Sequence, residues 1–151
     1  MAKMVDVGDK ESVRRSAVAT GTIFLKRHTI DAIKKGRVKK GDVINSSKLA
    51  GIQAAKATSS LLPLCHQVPL TSIEIGVSVK RDRLEMRCVV SATYKTGVEM
   101  EALVGVSAAL LNAWDMVKYL EKDSKGQYPK TRISELRVLE KTKEASGNGN
   151  G

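Results

Sequence analysis

The segment that most constrains this chain is Ser72 to Tyr94. Ile73, Ile75, Val77 and Val79 alternate with Glu74, Gly76, Ser78 and Lys80, and a second stretch, Leu84 to Tyr94, follows the polar turn Arg81-Asp82-Arg83. Successive side chains of a strand point to opposite faces, so the pattern predicts an antiparallel hairpin with one apolar face. Such a face must be covered. The cover is the apolar run Ala102 to Leu120, inside a helix expected from about Val98 to Lys122. The run is about as long as a membrane span. It also carries Ser107, Asn112, Asp115 and Lys118, which are costly in hydrocarbon. It therefore reads as the buried helix of a cytoplasmic protein with no membrane partner.

Ser12 to Leu25, rich in β-branched and small residues, predicts a first strand. A short basic helix over Thr29 to Lys35 should stop at Gly36. A second helix is expected within Asp42 to Ser60, where Leu49, Ile52 and the alanines recur at helical spacing. Pro63 and Pro69 bracket Leu64 to Val68, which makes that segment a constrained loop. A short last strand is expected near Leu136 to Glu140. The order strand, helix, helix, strand, strand, helix, strand is that of an α+β fold. It predicts a ferredoxin-like split βαβ sandwich, an antiparallel sheet with helices packed on one face. Residues 1–145 read as a single domain, and the Gly/Asn tail 146–151 as disordered. The charged N-terminus has no apolar core, so no secretory signal is expected. Cys65 and Cys88 do not make a disulfide framework.

Charge narrows the function. Lys and Arg number 26 against 16 Asp and Glu, a net +10. Eight of those cations lie between Lys26 and Lys48 against Asp31 and Asp42, a local +6. This excludes a protein built to attract cations and favours polyanionic partners. Aromatic residues are only 3%, too few for a surface that stacks bases along a strand. No Walker A or dinucleotide fingerprint occurs, which excludes P-loop and Rossmann enzymes.

Several residues could carry chemistry. Asp115 stands in the mostly apolar Leu110 to Leu120, so at least partial burial is expected, and a buried carboxylate must be paired or protonated. Lys118, three residues on, would form with it an acid/base pair of tunable proton affinity; a structural ion pair is the plain alternative. Glu99 and Glu101 begin the same helix. They either complement its dipole or recognise a guanine-like edge, where one carboxylate accepts two N–H donors. Glu101 and Asp115 fall within about 40° of each other around the helix but about 21 Å apart along it. If both serve one site, a neighbouring subunit supplies one end, which places the active site at an oligomer interface. His66, in the proline-bracketed loop beside Cys65, is a candidate acid or base, with a plain loop histidine the alternative. No metal site is expected, since Cys65 and His66 have only His28 and Cys88 to complete a zinc set. The basic cluster Lys34 to Lys40 is either a solvated face or, with Lys39-Lys40-Gly41-Asp42, a polyphosphate cradle, and Arg14 on the first strand could extend the same positive wall.

Met4-Val-Asp-Val7, Lys40-Gly-Asp-Val43, Ala50-Gly-Ile-Gln-Ala-Ala-Lys56, Leu62-Pro-Leu-Cys-His66, Lys95-Thr-Gly-Val-Glu-Met-Glu-Ala-Leu103 and Trp114-Asp-Met-Val-Lys118 together resemble the cyclic pyranopterin monophosphate synthase family. This is the C component of molybdenum cofactor biosynthesis, and the likeness runs over about residues 4 to 140. It implies a ferredoxin-like fold and a homohexamer, a trimer of dimers, with interface active sites. The implied reaction turns (8S)-3′,8-cyclo-7,8-dihydroguanosine 5′-triphosphate, a small nucleotide-derived substrate, into the pyranopterin and expels pyrophosphate. A transient contact with the upstream radical GTP cyclase is a further implied partner.

By the same resemblance the active-site aspartate is Asp115, with Lys118 its partner in proton transfer. The substrate loop is Leu64, Cys65 and His66, with His66 a second acid/base or phosphate contact. Met100 and Glu101, with Glu99 beside them, are the substrate pair, with Glu101 on the guanine-derived edge; Lys40, Arg14 and Lys56 face the triphosphate. The sequence shows no required cofactor and leaves magnesium open as a companion of the triphosphate. Many bacterial members end in a Lys-Ser-Gly-Gly-Lys-Ser-Gly type segment. This chain instead has Glu140-Lys-Thr-Lys-Glu-Ala-Ser146, where Lys141 and Lys143 could substitute. Two other classes stay open on the residues: a basic RNA-binding module and an oligomer that holds a nucleotide without chemistry. The hairpin offers only Tyr94 to stack on a base, which speaks against RNA. The Asp115–Lys118 pair speaks against mere binding.

Overall fold

The computed structural model describes residues 1–144. The tail 146–151 and its expected disorder lie outside the described residues. In chain order the elements are β1 (Val13–Phe24), α1 (Arg27–Lys34), α2 (Val43–Lys56), α3 (Thr58–Leu61), β2 (Leu70–Val79), β3 (Arg83–Tyr94), α4 (Glu99–Glu121) and β4 (Arg132–Glu144). The four strands form one sheet in the order β2-β3-β1-β4, every pairing antiparallel. This is the ferredoxin-like split βαβ arrangement, with the helices on one face.

The hairpin closes at Arg81-Asp82, where the Lys80 amide donates to the Arg83 carbonyl at 2.9 Å. Its inward residues Ile75, Leu84, Met86, Cys88 and Val90 are buried. They meet Ala102, Val106, Ala109, Leu110, Ala113 and Val117 of α4 in one core. Although α4 is long and apolar enough to cross a membrane by composition, its apolar stripe is spent against this sheet.

Two glycines set the distance between α2 and α4. A Cβ on Gly51 would lie 2.8 Å from the Gly105 carbonyl oxygen and collide with Ile75 Cδ1. One on Gly105 would lie 2.8 Å from Cys88 Sγ. Only a residue without a side chain permits that approach.

The sequence reading needs amendment at two elements. The helix α1 starts two residues before Thr29; its end is as expected, with Gly36 at φ 64° and the Arg37 amide bonded to the Ala32 carbonyl at 2.9 Å. The last strand is not short: β4 runs for 13 residues as the edge partner of β1. Its pairing shifts register between Val18 and Ala19 and between Thr20 and Thr22. Glu135 takes a left-handed φ of 58° there. That irregularity, with an exposed outer edge rich in charge, erases the alternation by which a strand is recognised.

Candidate active site

At the C-terminal half of α4, Asp115 is held between two ammonium groups. Lys118 Nζ lies 2.9 Å from Oδ1, from the next turn of the same helix. Lys40 Nζ lies 2.8 Å from Oδ2 and comes from the loop between α1 and α2. That loop is shaped by local chemistry. Gly41 donates its amide to the Val38 carbonyl at 3.0 Å and adopts φ 113°, which favours glycine. Asp42 then caps α2, accepting the Asn45 amide at 3.0 Å. A tight turn followed by a capped helix leaves Lys40 facing α4.

This corrects the expectation of a buried Asp115. Its side chain is 53% exposed. The hydrogen bonds from Lys40 and then Lys118 pull its carboxyl down to about 2, and the carboxylate in turn raises Lys118. The anion is kept by two cations rather than by a low-dielectric pocket. Beside the trio, Leu111, Trp114, Tyr128 and Ile133 wall a shallow cavity of about 370 Å³ that also includes Asp115 and Lys118. Trp114 and Tyr128 meet edge to face at 5.2 Å.

The other cluster lies at the opposite end of α4. Glu101 is buried at 3% exposure and its Oε2 has no hydrogen-bond partner; Glu99 Oε2 is likewise buried without one. Burial, followed by the Glu99 charge, pushes the Glu101 carboxyl above its ordinary range. The Cys65 thiol points to Glu101 Oε1 at 3.9 Å, and burial with the two nearby carboxylates raises the thiol as well, so it stays protonated. His66 Nε2–H donates to the Val5 carbonyl at 2.6 Å, which leaves Nδ1 as the ring nitrogen turned to other partners. Leu64 and Met100 are exposed around them. From β4, Lys141 Nζ reaches Glu99 Oε1 at 3.4 Å.

Two expected members of the Lys40 wall sit elsewhere. Arg14 pairs in register with Thr93 and Glu144, at the end of the sheet where β3 turns toward Glu99. Lys56 ends α2 and lines a 470 Å³ cavity with Ile52, Val68 and Leu70. Nor do Glu101 and Asp115 share an environment: the first is buried and the second open. Within one chain the site residues thus form two groups, Lys40, Asp115 and Lys118 at one end of α4, with the remainder toward the other.

Sequence reasoning missed two residues. Tyr119, one turn past Asp115, accepts the Lys39 amide on its hydroxyl at 2.9 Å. Glu121, fully buried, accepts from Thr131 Oγ1 at 2.7 Å, from Thr29 Oγ1 and from the Lys26 amide at 3.1 Å. The signal for Tyr119 was its i, i+4 spacing from Asp115. For Glu121 there was none, because its partners come from two remote segments. Among the described residues no group of three or more His, Cys, Asp or Glu could hold a metal ion.

The chain matches the MoaC family model over residues 4–144. It is 56% identical over 142 residues to a probable cyclic pyranopterin monophosphate synthase of Thermococcus onnurineus, covering 94% of this chain and 91% of that one. The protein of the same description from Thermococcus kodakarensis is 57% identical over 141 residues, 93% of this chain and 90% of its own. That of Saccharolobus solfataricus is 52% identical over 143 residues, 95% and 96%.

Proposed function

The chain belongs to the MoaC family and is an enzyme of molybdenum cofactor biosynthesis that makes cyclic pyranopterin monophosphate; we propose that its substrate is (8S)-3′,8-cyclo-7,8-dihydroguanosine 5′-triphosphate and that pyrophosphate leaves. The observation that carries this reading is Asp115 fixed between Lys40 and Lys118 beside an apolar wall. Such a reaction has to place negative phosphates and to move protons as one ring opens and another closes.

The residues divide those tasks. Lys40 and Lys118 meet the triphosphate as cations. Asp115, ionised far below neutral pH, fixes where both ammonium groups stand. Lys118 keeps its proton at neutral pH and acts as the acid, giving it up when the charge of its partner is shared with substrate. His66 Nδ1 is an acceptor for a proton leaving the ring. Glu101 and Glu99 present unpartnered carboxylate oxygens that fit the N–H edge of a guanine-derived base. Arg14 and Lys56 add charge on that side, and Met100, Leu64 and Cys65 shape it.

Because the two clusters occupy opposite ends of α4, a complete pocket takes one from each of two chains. A homohexamer built as a trimer of dimers meets that need. The sheet face away from the helices holds a 540 Å³ depression with Thr20, Thr22 and Leu139 in its lining, a surface for packing another copy. The cytoplasm is the compartment that fits a biosynthetic enzyme with unpaired Cys65 and Cys88. The test is to mix the protein with enzymically made cyclised triphosphate, with and without magnesium, and to measure pyrophosphate and pyranopterin together. Equimolar release supports the assignment; an inert mixture that binds RNA in a salt-sensitive way refutes it.

A further inference from the structure

The turn that delivers Lys40 is held from below by a second contact. Lys39 and Lys40 are consecutive, and each is tied to α4: Lys40 to Asp115, Lys39 to Tyr119 one helical turn further on. The Tyr119 hydroxyl accepts the Lys39 backbone amide at 2.9 Å, and the Lys39 ammonium stands 5.1 Å over the Tyr119 ring. We propose that Tyr119 is a positioning residue that fixes the Val38–Gly41 turn against α4 and so sets Lys40 on Asp115. The proposal rests on the functional reading above for its effect on turnover, but not for its structural content.

The physical need is plain. Lysine has a long flexible stem, and placing its ammonium on one carboxylate in water costs side-chain entropy. The Lys40–Asp115 pair is half exposed, so its own attraction is weak in a high dielectric. Gly41 lets the turn form but also makes it pliable. A hydrogen bond to the backbone of the preceding residue removes that pliability without occupying the lysine itself. The ring beneath Lys39 adds a cation–π contact, which ties the same residue to α4 a second time. The phenol is therefore placed to act through Lys40.

Tyr119→Phe separates the roles, since it deletes the acceptor and keeps the ring. The readouts are the Asp115 carboxyl titration, followed by carbon NMR in the full-length protein, and steady-state kinetics with the cyclised triphosphate. Lys40→Ala should move the Asp115 titration up from about 2 toward ordinary aspartate. Tyr119→Phe should move it part of the same way and raise KM about five- to tenfold, the scale of one lost hydrogen bond, with kcat changed far less. In a Lys40→Ala background, Tyr119→Phe should change neither readout further. If Tyr119→Phe leaves the titration in place while Lys40→Ala shifts it, the positioning role is overturned and the functional reading stands. If Lys40→Ala and Asp115→Asn both keep normal turnover, the functional reading fails, and the titration alone still decides whether Tyr119 holds the turn.

Discussion

Lys40 Nζ lies 2.8 Å from Asp115 Oδ2 although 75 residues separate them in the chain. With Lys118 on the other oxygen, the contact makes a three-charge group from a loop and a helix that share no sequence pattern. Exposed ion pairs add little to stability. The value of this one lies in what it orients.

Asp115→Asn is expected to leave the fold intact and cut turnover by about a hundred- to ten-thousandfold, the range for lost proton transfer, because Lys118 loses the anion that orients it and tunes its proton. The side chain is open to water, so the unfolding midpoint should shift by no more than a few degrees, about the scale of a small surface change. Rate assays and a thermal melt check both halves. Near-normal turnover would falsify the assignment.

Lys40→Ala should weaken triphosphate substrates much more than analogues lacking the phosphates. Competition binding with the two ligand types measures it; equal weakening of both would contradict a phosphate role.

The pH dependence follows from the sign of the Asp115 shift. Its folded value, about 2, lies below the 3.8 of a free aspartate, so its contribution to stability is present above 3.8 and is lost as pH falls through about 2. Because the group is exposed, that contribution is small. For turnover the same shift means that no acid limb from Asp115 appears between neutrality and about pH 4. In Lys40→Ala the limb should move upward, visible in a kcat profile that reaches down to pH 3.

Glu101 carries the opposite sign. Its folded value is raised above 4.5, so the folded state binds the proton more tightly and the protein loses stability as pH rises from about 4.5 through that raised value. Glu101→Gln removes this loss. The variant should melt higher than the parent at pH 7.5, match it near pH 4, and turn over poorly. Melts at the two pH values decide; a variant less stable than the parent at both would show that the carboxylate is structural.

Gly51→Ala should destabilise the protein by about 1–3 kcal/mol, because the added methyl meets the Gly105 carbonyl and Ile75 with no room to yield. Chemical denaturation measures it. Since α2 is capped by Asp42 next to Lys40 and ends in Lys56, while α4 carries Asp115, turnover should fall as well.

The hairpin, the long helix and the topology were legible because their periods are regular and their apolar faces meet. Asp115 was legible as a functional position but not as an exposed one. Its neighbours Ala113, Met116 and Val117 face the core, while Leu111 stays 61% exposed and makes the outer stripe look buried in a linear reading. The 13-residue β4 was hidden by the break at Glu135 and by charges along an edge strand. Lys40 and Asp115 were each singled out, yet nothing local encodes their meeting. The same holds for Glu121, whose burial depends on Thr29 and Thr131 arriving from elsewhere.

The two ends of α4 treat their carboxylates unequally. At one end Glu121 has both oxygens engaged; at the other, Glu99 and Glu101 each keep an oxygen dry and idle. Stripping water from those idle oxygens is completed when the chain folds, so an arriving donor group need only shed its own hydration. The helix is in that sense stiff at its heel and hungry at its toe, and the toe is where a guest can repair what folding left undone.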